Sequence, residues 1–428
     1  MIYSSEHNSL DAAIALDAKD PLRKYRDEFS FPKLVEGKET LYFAGHSLGL
    51  LPNRTRKVME DELASWGKYG VEGHFLGDHP WLPYHEFVTE SLSRLAGCKP
   101  SEVVAMNTLT TNLHLMLVSF YRPTKTRYKI LIENNTFPSD KYAVDSQARF
   151  HGFDANTAVV ELKPREGEYK VHPEDIKAQI EALGDELALV MLGNCNYLSG
   201  QCFDMKTITE LGHKAGAFVG FNMAHGAGNI EANLHDDDVD FAVWCSYKYL
   251  NSGPGGIAAA FVHEKHHGQK DLPRFEGWWG TNKETRFAMG PDFDPIPTVE
   301  AWQLSNPPIF QLAALRSSME LFDEAGLKNL RSKSIKITNY MEFLLKENVG
   351  DFVEIMTPEY VEGVQNRGCM LSLRFKKNPK ELNKVLGEKA VICDFREPDI
   401  IRATPIPLYN SFEDVFKFVE VLKEFANA

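Results

Sequence analysis

Lys248 is the residue with the most chemistry to explain. It sits in Cys245-Ser246-Tyr247-Lys248-Tyr249-Leu250, between apolar runs at 239–245 and 257–262. Both runs read as buried strands. A buried ammonium is costly unless it is paired or neutralised. A desolvated lysine has a lowered pKa and forms a Schiff base with an aldehyde, which is how pyridoxal phosphate is held. A strand-end lysine that reaches solvent explains the same residues without chemistry. Gly253, Gly255 and Gly256 follow, and they let the backbone turn tightly and approach a ligand.

Four further groups carry unusual polar residues. Thr110 and Thr111, in the segment 107–112, stand between a strand and a helix, where hydroxyls and backbone N–H groups hold a phosphate or serve as an ordinary cap. Phe137-Pro138-Ser139-Asp140 follows a strand. The phenylalanine suits stacking on a flat ring and Asp140 suits fixing a ligand, although proline and aspartate also simply start helices. Asn222 and His225 follow the strand at 218–221, placed to meet a pyridine nitrogen and a ring hydroxyl, or to be a plain loop amide and a satisfied histidine. Arg402 lies inside the apolar Ile400–Ala403. Its guanidinium fork suits a carboxylate ligand or a structural ion pair.

The elements that position these residues alternate. Strands are expected at 103–106, 128–132, 158–162, 187–192 and 218–221, with helices between them, one of them apolar from Leu113. That order means crossover units and a largely parallel sheet, with ligands beyond the carboxyl ends of the strands. The loops at those ends are 107–112, 134–140, 193–201 and 222–228. Helix is also expected over 8–29, with Asp20-Pro21 starting a fresh turn, over 54–66 and 84–96, and along 310–347. Strands at 369–375, 391–395 and 400–403 and a helix at 412–425 make a smaller α+β lobe. The chain divides into an N-terminal segment 1–45 packing on the small lobe, a large domain 46–305 and a small domain 306–428.

Bulk properties exclude several classes. The chain has 428 residues, 43% hydrophobic and 25% charged, with a net charge of −13. That acidic balance and the lack of a basic patch argue against nucleic acid. No apolar run reaches membrane-spanning length, and residues 1–26 do not read as a signal peptide. The six cysteines form no C-x-x-C pair and read as reduced residues of a cytosolic protein. His263-Glu264-Lys265-His266-His267 reads as an exposed polar loop, since no carboxylate or cysteine partner has ligand spacing. No metal is expected.

The motifs W-C-S-Y-K-Y-L-N at 244–251, F-P-S-D at 137–140 and R-A-T-P-I-P-L-Y-N-S-F at 402–412 resemble kynureninase. So do S-L-G-L at 47–50, G-W-W-G at 277–280 and S-N-P-P-I at 305–309. The resemblance runs from about residue 20 to the end. It implies an α/β fold of the aspartate aminotransferase type (fold type I, class-V aminotransferase group), with pyridoxal phosphate as cofactor. It implies hydrolysis of L-kynurenine or 3-hydroxy-L-kynurenine to the anthranilate and L-alanine, in tryptophan catabolism and NAD biosynthesis, by a cytoplasmic homodimer with shared active sites. Lys248 would carry the cofactor and move the Cα proton. Tyr247 would touch the phosphate and assist proton transfer. Leu109 and Thr110 would hold the phosphate, and Phe137 would stack on the ring with Pro138, Ser139 and Asp140 beside it. Asn222 and His225 would meet the ring nitrogen and hydroxyl. Trp278 and Asn306 would reach across from the partner subunit. Arg402 would bind the substrate carboxylate, and Ser47 and His74 would line the aryl pocket with Asn306.

This chain departs from the family at the cofactor. Asn222 stands where the family normally has aspartate, in D-x-A-H. An acid there keeps the pyridine nitrogen protonated and a neutral amide does not. Losing a charge-assisted hydrogen bond of about 1.5–3 kcal/mol is expected to slow carbanion formation roughly tenfold to over a hundredfold. Asn222→Asp is then expected to raise turnover. His46 replaces a usual asparagine, Thr111 a usual apolar residue, and 134–136 reads N-N-T. The rival readings are a desulfurase or aminotransferase on the same fold, and a pyridoxal-phosphate-binding homologue impaired by Asn222. A desulfurase needs a cysteine on a mobile loop, whereas Cys369 and Cys393 fall in strand-like segments.

Overall fold

The structure, a computed structural model, describes residues 3–428. Proline 21 has no N–H to continue a helix, so helix covers only Leu10–Ala18 of the expected 8–29, and Arg23–Glu28 is 3₁₀ turn. Asp17 links this first helix to the last, Phe412–Ala426. Its two carboxylate oxygens accept the N–H groups of Phe412 and Glu413 at 2.8 and 2.9 Å. Leu41–Tyr42 pairs in parallel with Val391–Ile392, so residues near both chain ends meet in one small sheet.

Seven strands form the large sheet: β1 (Val103–Ala105), β2 (Lys129–Glu133), β3 (Val159–Leu162), β4 (Leu187–Gly193), β5 (Phe218–Asn222), β6 (Phe241–Cys245) and β7 (Ala258–Val262). Their spatial order is β1-β7-β6-β5-β4-β2-β3. β7 runs antiparallel to β1 and β6, and the other pairings are parallel. β4, β6 and β7 are buried along their whole length, as strands covered on both faces must be. The pleat sends neighbouring residues to opposite cores: Leu189 joins one cluster and Val190 the other.

The helix expected from Leu113 starts earlier, at Leu109, and runs to Phe120. Asn107, at φ 50°, turns the chain from β1 into it. The helical region 310–347 is two helices, Ile309–Ala325 and Leu327–Val349, separated by Gly326 at φ 78°. The first shares its core with the large sheet and the second with the small lobe. In that lobe, Val353–Ile355, Leu371–Phe375, Ile400–Ala403 and Asp394–Arg396 pair antiparallel in that order. The expected strand 391–395 is broken, because 391–392 pairs with 41–42 and 394–396 with 400–402.

Gly253 and Gly255 hold φ values of 88° and 67°, which explains glycine there. Neither lines the cavity around Lys248, so the expected approach to a ligand is not made. The reading of six reduced cysteines is corrected. Cys195 and Cys202 are disulfide-bonded, with Cα atoms 4.1 Å apart, because the chain folds back between them. Cys98, Cys245, Cys369 and Cys393 are free.

Candidate active site

A cavity of about 310 Å³ lies at the carboxyl ends of β2, β4 and β5. The four loops expected there all line it, through Thr110, Phe137, Tyr197 and His225 among others. Lys248 enters from the segment after β6. Its Nζ is 3.1 Å from His225 Nε2 and 5.9 Å from the centre of the Phe137 ring. Burial lowers the Lys248 pKa and Arg402 adds to this, while Cys245 and Asp140 oppose it. His225 is held well below its ordinary value by burial first and then by Lys248. A neutral imidazole thus faces an amine whose neutral form is favoured.

One end of the cavity is built to receive an anion. The helices Leu109–Phe120 and Pro138–Phe150 both begin there, and neither has a side-chain cap. Their first N–H groups and positive dipole ends lie at the cavity. Thr110 Oγ1 and Ser139 Oγ meet at 2.8 Å and join the two helix starts. Pro138 opens the second helix without lining the cavity, whereas Leu109 and Tyr247 do line it. Thr111 is exposed and lies outside.

The next zone is acidic. Asn222 Nδ2 donates to Asp140 Oδ2 at 2.6 Å, and Asn222 Oδ1 accepts the Ala224 N–H at 2.9 Å. The neutral amide at 222 therefore does not leave this end without an acid, because Asp140 supplies one beside it. Burial pushes the Asp140 carboxyl up to about 6, with the Asn222 hydrogen bond and Lys248 acting against it. Glu133, at the end of β2, was not expected in the site. Its Oε2 accepts Gly193 N–H at 3.0 Å, and burial raises it to about 7. An acid closing the otherwise apolar run Ile130-Leu131-Ile132 was the available signal.

The opposite end holds Arg402. Its Nη1 donates to Tyr197 O and its Nη2 to Asp394 Oδ2, both at 2.7 Å. The structural ion pair is thus real, yet Arg402 Nε is buried without a partner. Asp394 also accepts from Ser47 Oγ at 2.5 Å and from Arg396 Nε at 2.8 Å. Asp394, Arg396 and Tyr197 were missed. Asp394 and Arg396 become neighbours of Arg402 because their strand pairs with it, and Tyr197 reaches it from the loop after β4.

Besides Pro138, three expected residues do not line the cavity. Trp278 is 41% exposed and packs edge-on against Trp279 and Phe287. Asn306 is exposed. His74 bonds Val71 O at 2.9 Å and meets the Trp81 ring edge-on. The reading of 263–267 as an exposed polar loop is also corrected, because His263 and His266 are buried. Glu102, distant in sequence, brings an oxygen within 4.8 Å of ring nitrogens of His235 and His263. Its oxygens already accept Lys99 N–H and Glu264 N–H at 2.9 and 2.8 Å, and His263 Nδ1 accepts Lys265 N–H at 3.1 Å. Those lone pairs are spent on the backbone.

The fold and the buried lysine place the chain in an architectural class. It superimposes on the cystine C-S lyase C-DES, in complex with its product cysteine persulfide, with a TM-score of 0.74 over 92% of this chain and 99% of that one. A cysteine desulfurase of Escherichia coli gives 0.74 over 95% and 98%. Identities of 15% and 16% make these likenesses of fold alone, the α/β fold of the class-V, fold type I enzymes. The family model described as Kynureninase C-terminal domain matches residues 330–422. A protein named Kynureninase from Myxococcus xanthus is 61% identical over 95% of each chain, and one from Nematostella vectensis is 45% identical over 98% of this chain and 95% of its own. The chain belongs to the kynureninase family.

The buried carboxyls set a pH dependence. Glu133 binds its proton more tightly folded than unfolded, so its contribution to stability falls as pH rises from 4.5 to about 7. Glu133→Gln is expected to flatten that fall. Urea midpoints of cofactor-free protein at about pH 5 and about pH 7.5 check it, and an unchanged slope counts against the assignment.

Proposed function

We propose that the chain binds pyridoxal phosphate at Lys248 and hydrolyses L-kynurenine or 3-hydroxy-L-kynurenine to anthranilate or 3-hydroxyanthranilate and L-alanine. The observation that carries this is a lysine of lowered basicity between an anion-accepting end and a guanidinium end, in a chain of the kynureninase family. The residues present fit the cofactor. The paired helix starts with Thr110 and Ser139 suit its phosphate, the exposed face of Phe137 suits its ring, and the unpartnered His225 Nδ1 suits a ring oxygen. Asp140, beside Asn222, supplies the carboxylate for the pyridine nitrogen. Bound pyridoxal phosphate supplies an aldehyde and a sink for the electron pair left at Cα.

Lys248 Nζ would hold the aldehyde and, when free, would take the substrate's Cα proton. His225 stays a neutral partner to Lys248 and adds no competing charge. Arg402 receives the substrate carboxylate, which orients the Cα–H bond toward Lys248. Tyr247 contacts the phosphate and returns a proton to the alanine carbon. Ser47 lines the aryl side. The impaired-homologue reading rests on the acid missing at 222, and the carboxyl of Asp140 beside Asn222 speaks against it.

The chain acts as a cytoplasmic homodimer in this reading, with three parts at 1–45, 46–305 and 306–428. Trp278, Asn306 and His74 complete the partner's site. Their positions outside the cavity support this, as do the exposed Leu63, Trp66, Val71 and Phe75 and the exposed Phe287 and Met289. Among the described residues no helix is long and apolar enough to cross a membrane. The reaction belongs to tryptophan catabolism and NAD biosynthesis.

Anthranilate fluorescence from purified protein, pyridoxal phosphate and L-kynurenine, beside 3-hydroxykynurenine, tests the activity. Product is expected, and Lys248→Ala is expected to abolish it. No product from either substrate would falsify the reading. Cofactor titration followed by absorbance separates the two acid-site residues. Asp140→Asn is expected to weaken binding about tenfold or more and Asn222→Asp to leave it intact; the reverse order assigns the role to residue 222. Mixing inactive Lys248→Ala subunits with inactive Asn306→Ala subunits is expected to restore activity. Failure of every such mixture argues against shared sites.

A further inference from the structure

The turn that carries His46 is fixed at both ends. Gly49 N–H donates to Tyr247 O at 2.8 Å, which ties the turn to the lysine segment. Thr404 N–H donates to Phe43 O at 2.9 Å, which ties it to the Arg402 strand. A Cβ at Gly49 would collide with Lys248 O, and one at Gly45 with the Tyr409 hydroxyl. His46 thus stands at a set position between Lys248 and Arg402.

Its ring has no solvent exposure and lines the cavity. Nδ1 lies 2.7 Å from Thr404 Oγ1. Nε2 has no hydrogen-bond partner, and its nearest acid, Asp394 Oδ2 at 3.8 Å, is beyond bonding distance. A carboxylate on that side favours the proton on Nε2, with the Thr404 hydroxyl donating to Nδ1. Arg402 Nε is the second buried donor of this cavity without an acceptor. Asp394 Oδ2 does not answer either, since it already accepts from Ser47 Oγ, Arg402 Nη2 and Arg396 Nη2 at 2.5, 2.7 and 3.1 Å. Two orphaned donors around one acid call for a second anionic acceptor with two oxygens.

We propose that His46 is a substrate-binding residue whose Nε2–H donates to the α-carboxylate received by Arg402, an inference that rests on the function proposed above. A neutral donor suits the place. Burial and then Arg402 hold the imidazole well below its ordinary value, so it binds the carboxylate without drawing Asp394 away from its two arginines. The Thr404 bond sets which ring nitrogen carries the proton, and couples His46 to the strand that carries Arg402.

The test uses the pyridoxal-phosphate-loaded protein and two probes, 4-oxo-4-phenylbutanoate and its methyl ester. The acid keeps the substrate's carboxylate and aryl ketone; the ester removes the negative charge and adds one methyl group. His46→Leu is expected to weaken the acid about tenfold or more and the ester by less than about twofold. Equal weakening of both probes, as lost packing produces, overturns the proposal. So does an unchanged acid, or a wild type that binds neither or both alike. His46→Asn keeps a polar group for Thr404 but stops short of the Nε2 position. It is expected to show the same acid-selective loss, and it decides the matter if His46→Leu does not fold. Anthranilate formation by the wild type is scored in the same preparation. Its absence overturns the proposed function, while the acid–ester difference still decides the role of His46.

Discussion

A single amine held at the edge of a buried sheet constrains everything around it. Lys248 leaves β6 among strands with no solvent on either face, so its charged form is disfavoured by burial before any neighbour acts. The neighbours then divide. His225, closest to Nζ, stays uncharged, and Arg402 pushes the proton off. Asp140 pulls the other way, yet burial raises its own pKa to about 6. The balance lowers the Lys248 pKa, and no carboxylate forms a salt bridge with it among the described residues.

Charge in the cavity is sorted by element type. Helix starts supply one positive end of the cavity with no lysine or arginine spent on it. The far end uses side chains, with two arginines around Asp394. That arrangement keeps Arg402 oriented while leaving its Nε for a ligand. The depressed Asp394 carboxyl follows mainly from Arg402 and Ser47 working against its burial.

Much of the site was legible as motifs. Thr110, Phe137, Asp140, Asn222, His225 and Lys248 each follow a strand end, and all line one cavity. Trp278, Asn306 and His74, singled out by the family resemblance, lie outside this cavity. Asn222 was legible as a departure from the family, but its hydrogen-bond partner was not. Asp140 sits 82 residues away in sequence and 2.6 Å away in space.

The sequence by itself determined the alternating strands and helices and the loops that meet at their ends, because periodicity and turn chemistry act over a few residues. The helix expected from Leu113 starts a turn earlier, at Leu109, just after Asn107 turns the chain at φ 50°. Tertiary structure alone decided the partners: Asp394 with Arg402, Glu102 with His235, Cys195 with Cys202, Asp17 with the last helix. Those pairings depend on how separate segments pack, and the Asp394–Arg402 pair on strand register. Register is fixed by packing between segments far apart in the chain, and no local pattern carries it.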